Sequence, residues 1–532
     1  MPKNKTKKNW IERIFVGFIY ALPVALIFSY YPIISFGGDE TMNFELSLPL
    51  IWLVLFDALV VILFFKRRLW KNIAKKWVFI LFPIFASLSI IWSLNLVRGV
   101  LTVGILWLIY LAVFGFFELC DVFLCDGFWW KWRKVFYGAG LFACGFCLLQ
   151  CVLDLAGCGQ EVSLLCDGCT YKMFGFPHPN GFAVEPQFMG NLLLAPAILA
   201  GIELYYSLSD DGICASPKHG NNNTIRRWGS SRPSLHWKTR LPRSGYRACS
   251  ISPRFVVRSL RGSNPSFLGR NLRKPRTVLL FAVFAAALFL TFSRGAIYAF
   301  ILAMLIFTVW EILRSRKWRV LILWPVIIFS FVFTLNLQGI FAQVSKTDDT
   351  YLTGVAKVIN QLSLGVIEIP IQDEEVVETS EATGAGEENL AEDEAVFDGY
   401  VAESTDTRVR LSDVALKAWS KDFKTIMLGV GIGGAGQALY QNGFSAGPKE
   451  IVQNEYVSLL LETGIVGVAL VILTVVLSIL ALKKTGNMMV VLVLAVAYGT
   501  TLLFFSGLPN ALHIYLLVSL LLAVLPKQYY NL

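Results

Sequence analysis

Apolar runs broken at short intervals by charged or glycine-bearing turns dominate the chain. Val278 to Phe292, Val320 to Leu335 and Val490 to Phe505 are apolar almost without interruption, and with their flanks they approach the roughly 20 residues that cross a bilayer. The pattern predicts helices over 14–34, 47–65, 77–94, 99–117, 135–153, 187–207, 277–293, 295–313, 320–340, 455–482, 488–506 and 511–525. The expected fold is an all-α polytopic membrane protein with about 12 transmembrane helices and a long extracytoplasmic loop between helices 9 and 10. The first run follows a basic start, Lys3 to Lys8. It is long, lacks a small-residue cleavage site and leads into further spans, so it reads as a retained helix instead of a signal peptide.

Charge adds sidedness. Alternate loops carry Lys66-Arg67-Arg68, Lys131 to Lys134, the 213–276 segment, Arg314 to Arg319 and Lys483-Lys484. Positive-inside then predicts a multi-pass protein of the cytoplasmic (inner) membrane with N- and C-termini cytoplasmic. With 55% hydrophobic and 16% charged residues, the composition argues against a soluble protein. The net charge of +10 does not point to nucleic acid, because fifteen Lys and Arg and no Asp or Glu lie between Ile213 and Arg276; without them the balance is 10 − 15 = −5. That insert is rich in Ser, Arg, Pro and Asn and has no periodicity. It is expected to be disordered, either as a polybasic segment on the anionic leaflet or as a linker without function. Sixteen carboxylates between Asp348 and Asp406 give the outer loop the opposite character; they read as a solvated run without calcium-loop spacing. The expected domains are 1–212 (helices 1–6), 213–276 (basic insert), 277–340 (helices 7–9), 341–454 (extracytoplasmic loop with short catalytic helices) and 455–532 (helices 10–12).

Several short motifs carry candidate chemistry. Thr291-Phe292-Ser293-Arg294-Gly295 joins two apolar runs so closely that the turn must be tight, a task suited to glycine. Arg294 at such a mouth either grips a diphosphate bidentately or snorkels to headgroups. Arg408 and Arg410, in Ser404 to Arg410, lie just before an amphipathic stretch, Leu411 to Phe423, with Val414, Leu416 and Trp419 at apolar positions. Gly429, Gly431, Gly433 and Gly434 follow a helix and not a strand, so they read as a tight connection with close backbone approach and not as a dinucleotide fingerprint. In Gln453 to Gly467 the chain re-enters the membrane. Glu455 and Glu462 are seven apart and share a helical face, and ionisable groups in a span default to function or to a protonated packing role. Gly464 and Gly467 read as helix-packing positions. Cys151, Cys158, Cys166 and Cys169 allow one or two disulfides; a lone C-x₂-C pair is a weak metal signal.

The turn TFSRG, the STDTR segment, GVGIGG and QNEYVSLLLETGIVG resemble, in this order, the O-antigen ligase and O-antigen polymerase superfamily. The loop Phe174 to Gly181 with Glu185, and Trp92 to Gly99, resemble its other outer turns. The resemblance implies a membrane glycosyltransferase of surface polysaccharide biosynthesis. It moves a glycan from a polyprenyl-diphosphate carrier to an acceptor hydroxyl at the outer face, with no cofactor and no metal. It implies Arg294, Arg408, Gln453 and Glu455 as catalytic positions. Arg98, Ser293, Arg410, His178, Asn180 and Asn454 are implied to bind diphosphate or glycan. Implied partners are the lipid-linked glycan donor, a glycan or lipid acceptor and membrane lipids, with no nucleic acid. At Gln453 ligases of this family usually carry the histidine regarded as general base, and glutamine cannot take that proton; Glu455 or His178 are the substitutes. The alternatives are a transporter, which Asp57 and Glu462 suit but which should show two similar halves, or a non-catalytic binder of lipid-linked glycans.

Overall fold

The computed structural model describes residues 10–29, 32–36, 44–69, 76–124, 128–158, 177–183, 185–209, 273–316, 318–344, 350–363, 407–443, 451–483, 488–505 and 511–524. Almost all of the 213–276 insert and the acidic run from Asp373 to Asp398 lie outside them, as do Cys166 and Cys169. Within them Cys151 and Cys158 are free thiols.

The helices are α1 (Trp10–Ile27), α2 (Leu48–Arg67), α3 (Leu81–Ser89), α4 (Leu96–Phe123), α5 (Phe128–Leu153), α6 (Pro186–Ser209), α7 (Arg273–Leu290), α8 (Arg294–Ser315), α9 (Leu323–Val344), α10 (Tyr351–Leu362), α11 (407–419), α12 (Phe423–Leu428), α13 (Ala435–Gln441), α14 (Glu455–Lys483), α15 (Met488–Thr501) and α16 (Leu512–Val524). Among the described residues eight helices are long and apolar enough to cross a membrane, and four shorter apolar helices accompany them. The chain is thus a helical membrane protein.

One expected helix is corrected. The predicted 14–34 helix stops at Ile27, and Pro32–Phe36 (β1) pairs antiparallel with Phe44–Ser47 (β2), Ile34 opposite Leu46 and Phe36 opposite Phe44. Pro32 lacks the N–H that a continuing helix needs and biases its predecessor to extended backbone, while two isoleucines follow.

Core packing follows from how freed backbone groups are satisfied in an apolar medium. Pro23 inside α1 leaves the carbonyl of Ile19 without its helical donor, and the Trp132 indole supplies one at 2.8 Å. Trp52 donates likewise to the carbonyl of Phe18 at 3.1 Å. Such groups cannot turn to water within a bilayer, so indoles here fasten α2 and α5 onto α1. The centre of the bundle is α6, of whose spanning window 89% is buried. It packs on α5, α7, α8, α9, α15 and α16. Gly190 lies against Ser293 and Ala296, and Gly201 against Phe281 and Met304, so small residues let α7 and α8 approach it closely.

The two ends of the bundle differ. At the lower end Arg67 pairs with Glu12, Lys76 with Glu118, and Arg133 with Glu203 at 2.8 Å. The upper end gathers the 93–98 turn, the 177–185 connection, the turn between α7 and α8, the glycine loop after α12 and the start of α14.

Candidate active site

At the turn between α7 and α8 the residue that takes the left-handed conformation is Phe292, with φ 46°, not the glycine. Its ring is buried and lies 6.1 Å from that of His178. Gly295 serves close packing instead, since a Cβ there would come within 3.0 Å of Phe504. Ser293 is the buried N-cap residue of α8, its hydroxyl without a hydrogen-bond partner among the described residues. Arg294 opens the helix, half-buried, close enough to His178 for its charge to act on the imidazole. Burial and that charge push His178 down to about 4, against the opposing influence of a backbone hydrogen bond involving Thr291.

The connection carrying His178 is clamped by amides from two helices. Gln150 of α5 donates to Asn180 Oδ1 at 2.9 Å and to the Gly181 carbonyl at 3.1 Å, and accepts from the Gly181 nitrogen at 2.8 Å. Gln338 of α9 donates to the carbonyl of Pro177 at 3.1 Å. Asn180 is wholly buried in this arrangement. Further along, Gln187 donates to the Phe504 carbonyl at 2.6 Å, and Glu185 sits exposed at the start of α6, within electrostatic reach of Arg408.

Arg408 and Arg410 lie in the first turn of α11, which begins at residue 407, earlier than the sequence suggested. The apolar face of α11 is Leu411, Ala415 and Ala418, flanked by Val414 and Trp419; Leu416 is exposed. This face packs on Ala435, Ala438 and Leu439 of α13, on Val452 and on Leu461 of α14, making a small separate core. Asp422 caps α12 through Thr425, accepting from its nitrogen at 2.8 Å and its hydroxyl at 3.0 Å.

The glycine loop is wedged between two other backbones. Gly429, Gly431 and Gly433 all have positive φ. A Cβ on Gly431 would come within 2.3 Å of Ser93 Cα, on Gly433 within 2.5 Å of Gly99 N, and on Gly429 within 2.3 Å of the Glu462 backbone. The Val430 nitrogen donates to the Leu461 carbonyl at 2.9 Å and the Gly431 nitrogen to that of Glu462 at 3.0 Å. These helical carbonyls are available because α14 breaks at Gly464, with φ 62°. Gly464 is therefore a backbone break against Met427 and Leu428 and not a helix-packing glycine. The Glu462 carboxylate accepts from the amides of Gly433 and Ala435, the latter at 3.3 Å, and lies within electrostatic reach of Arg98.

At the start of α14, Asn454 accepts from the nitrogens of Tyr456 at 3.1 Å and Val457 at 3.2 Å, while Gln453 is half-buried just before it. Glu455 accepts from the Tyr515 hydroxyl at 3.0 Å, and its own nitrogen donates to the Leu502 carbonyl at 2.9 Å. Glu455 and Glu462, though one heptad apart, thus answer to different elements, α16 and the glycine loop.

Two arginines, Arg294 and Arg408, therefore act on one clamped connection, at His178 and at Glu185, and Arg98 belongs to an adjoining cluster with Glu462. Residues 279–472 match the family model for O-antigen ligase. The chain carries an O-antigen ligase domain. That domain spans most of α7 through the first two-thirds of α14, holding Arg294, Arg408, Arg410, Gln453 and Glu455, whereas Arg98, His178, Asn180 and Glu185 precede it. No curated protein matches the sequence. An O-antigen ligase domain on a bundle of apolar helices makes this a membrane protein related, over residues 279–472, to the O-antigen ligases.

Sequence reasoning missed Gln150, Gln338, Ser89 and Ser93. Gln150 and Gln338 were visible in principle as amides inside apolar helices, where an unpartnered polar group is costly.

Proposed function

We propose that the protein transfers a glycan from a polyprenyl-diphosphate carrier to an acceptor hydroxyl in surface polysaccharide biosynthesis. The observation that supports this reading is that Arg294 and Arg408, both within the stretch matching O-antigen ligase, lie within electrostatic reach of His178 and Glu185 respectively. Planar guanidinium groups suit the paired oxygens of a diphosphate. Two of them offset the charge that builds on the leaving diphosphate as the bond to the sugar breaks, which is where electrostatic stabilisation is most effective. Arg98 lies beside the glycine loop and assists from the adjoining cluster. Arg410, exposed one residue beyond Val409, is the alternative partner from α11. No metal is needed, because the arginines supply the positive charge.

The reaction belongs to the outer face of the cytoplasmic membrane. Arg67, Lys76, Arg133 and Arg314 collect at the lower end, which positive-inside assigns to the cytoplasm together with both termini. The upper end then faces outward.

The test is transfer of labelled glycan, on its polyprenyl-diphosphate carrier extracted from the native host's membranes, by purified protein in detergent. Arg294→Ala and Arg408→Ala are each expected to abolish turnover. Turnover indifferent to both would defeat the reading in favour of transport or binding.

A further inference from the structure

When the acceptor oxygen attacks the sugar its proton must go to a base, and Gln453 is not one. Most of the carboxylates and imidazoles around the arginines are already engaged. Glu462 accepts from two loop amides and faces Arg98. Glu455 accepts from Tyr515. Asp413 pairs with Lys417 at 2.5 Å, and Asp422 caps α12. His178 and His513 are buried at 8% and 2% exposure, too enclosed to meet an incoming sugar. Glu185 differs from all of these. It is exposed, it follows the Pro177–Gly181 stretch that Gln150 and Gln338 hold, and it lies within electrostatic reach of Arg408.

Resting on the glycan-transfer reading above, we propose that Glu185 is the general base for the acceptor hydroxyl, filling the role that Gln453 cannot. The acceptor O–H bond breaks and its proton passes to a Glu185 carboxylate oxygen. The acceptor oxygen bonds to the anomeric carbon. The bond from that carbon to the diphosphate oxygen breaks, and its electron pair leaves with the polyprenyl diphosphate between Arg294 and Arg408. Protonated Glu185 returns its proton to solvent, which its exposure allows. Arg408 then has two anionic neighbours, the base and the leaving group, and so aligns acceptor and donor on one guanidinium. Partial desolvation by the surrounding protein raises the Glu185 carboxyl above its ordinary value, and the Arg408 charge opposes that rise. A raised carboxylate is a better proton acceptor near neutral pH.

The experiment compares native full-length protein with Glu185→Gln, Glu185→Asp and Glu185→Ala in the transfer assay described above, and measures binding of glycan-free polyprenyl diphosphate separately. Glu185→Gln is expected to lower kcat by about 10²- to 10⁴-fold while leaving polyprenyl-diphosphate affinity near native. Glu185→Asp should retain part of the rate, and added formate should restore turnover to Glu185→Ala. Should Glu185→Gln prove poorly folded, formate rescue of Glu185→Ala decides: rescue supports the base, and its absence overturns it. Near-native turnover in Glu185→Gln, with Arg294→Ala inactive, overturns the base and leaves the transferase reading standing. A native protein that transfers nothing overturns both.

Discussion

Ser93 donates its hydroxyl to the carbonyl of Ile432 at 2.8 Å, a bond that crosses 339 residues of sequence. The Ile432 nitrogen in turn donates to the Ser89 hydroxyl at 3.1 Å, and the Leu94 nitrogen to the Val430 carbonyl at 3.2 Å. The glycine loop of the O-antigen ligase domain is therefore tied to the turn before α4, which places Arg98 beside it. The early helices complete the site and do not merely anchor the later ones.

The glycine loop should tolerate no side chain at Gly431 or Gly433. Gly431→Ala or Gly433→Ala would drive a Cβ into backbone atoms at 2.3 Å and 2.5 Å, at a φ that L-residues rarely adopt. Each is expected to lower the melting temperature in detergent and to cut transfer by about tenfold or more, since roughly 1.4 kcal/mol of misplacement already corresponds to tenfold in rate. Gly138→Ala, where nothing lies within 4 Å of the added methyl, should be neutral. Equal effects at all three positions would show that the backbone contact has no special role.

Gln150→Ala should release the connection that bears His178, Asn180 and Glu185. It removes three hydrogen bonds at a residue 4% exposed, one to Asn180 Oδ1 and two to the Gly181 backbone. Leaving such groups unsatisfied costs about 1–3 kcal/mol each at most. The expected result is a lower melting temperature together with weaker binding of polyprenyl diphosphate. A variant that melts earlier but binds normally would separate the clamp from the site.

The bundle was legible because apolar run length is a direct readout of bilayer thickness, and each predicted helix has a counterpart. The Pro32–Phe36 strand was not, because Pro-Ile-Ile continues an apolar run that composition alone assigns to the helix before it. The motifs around Arg294, Arg408 and Glu455 stood out as polar groups next to spans. Their surroundings did not: nothing in the sequence pairs Ser93 with Ile432 or brings Arg408 within electrostatic reach of Glu185, since such relationships are set by tertiary packing over hundreds of residues. The glycines illustrate the division. Their number announced a close backbone approach, but which backbone approaches, and that Gly464 breaks a helix so that Glu462 can meet the loop, came only from the structure.

Glu462 should prove divisible into two roles. Glu462→Gln keeps a side-chain oxygen for the Gly433 and Ala435 amides but removes the charge facing Arg98; Glu462→Ala removes both. The glutamine variant is expected to melt near the native temperature yet transfer more slowly, with the alanine variant impaired in both. If the two variants lose stability and turnover in parallel, the carboxylate is only a loop fastener and Arg98 does not depend on it.

Acid should destabilise the protein through His178. Its imidazole is pushed from an ordinary value of 6.5 down to about 4, chiefly by burial. Below 6.5 the unfolded chain binds a proton that the folded protein refuses, so stability is complete above that pH and declines as pH falls from 6.5 through about 4. At 1.36 kcal/mol per unit the loss approaches roughly 3 kcal/mol by the bottom of the window. Melting temperatures in detergent at pH 7 and pH 4.5 would reveal the slope, and His178→Gln, which cannot take the proton, should flatten it. An equal slope in that variant would assign the acid sensitivity to a carboxylate held below its ordinary value, such as Asp422 at its Thr425 cap, and would mean that the imidazole beside Arg294 is not held neutral by its burial.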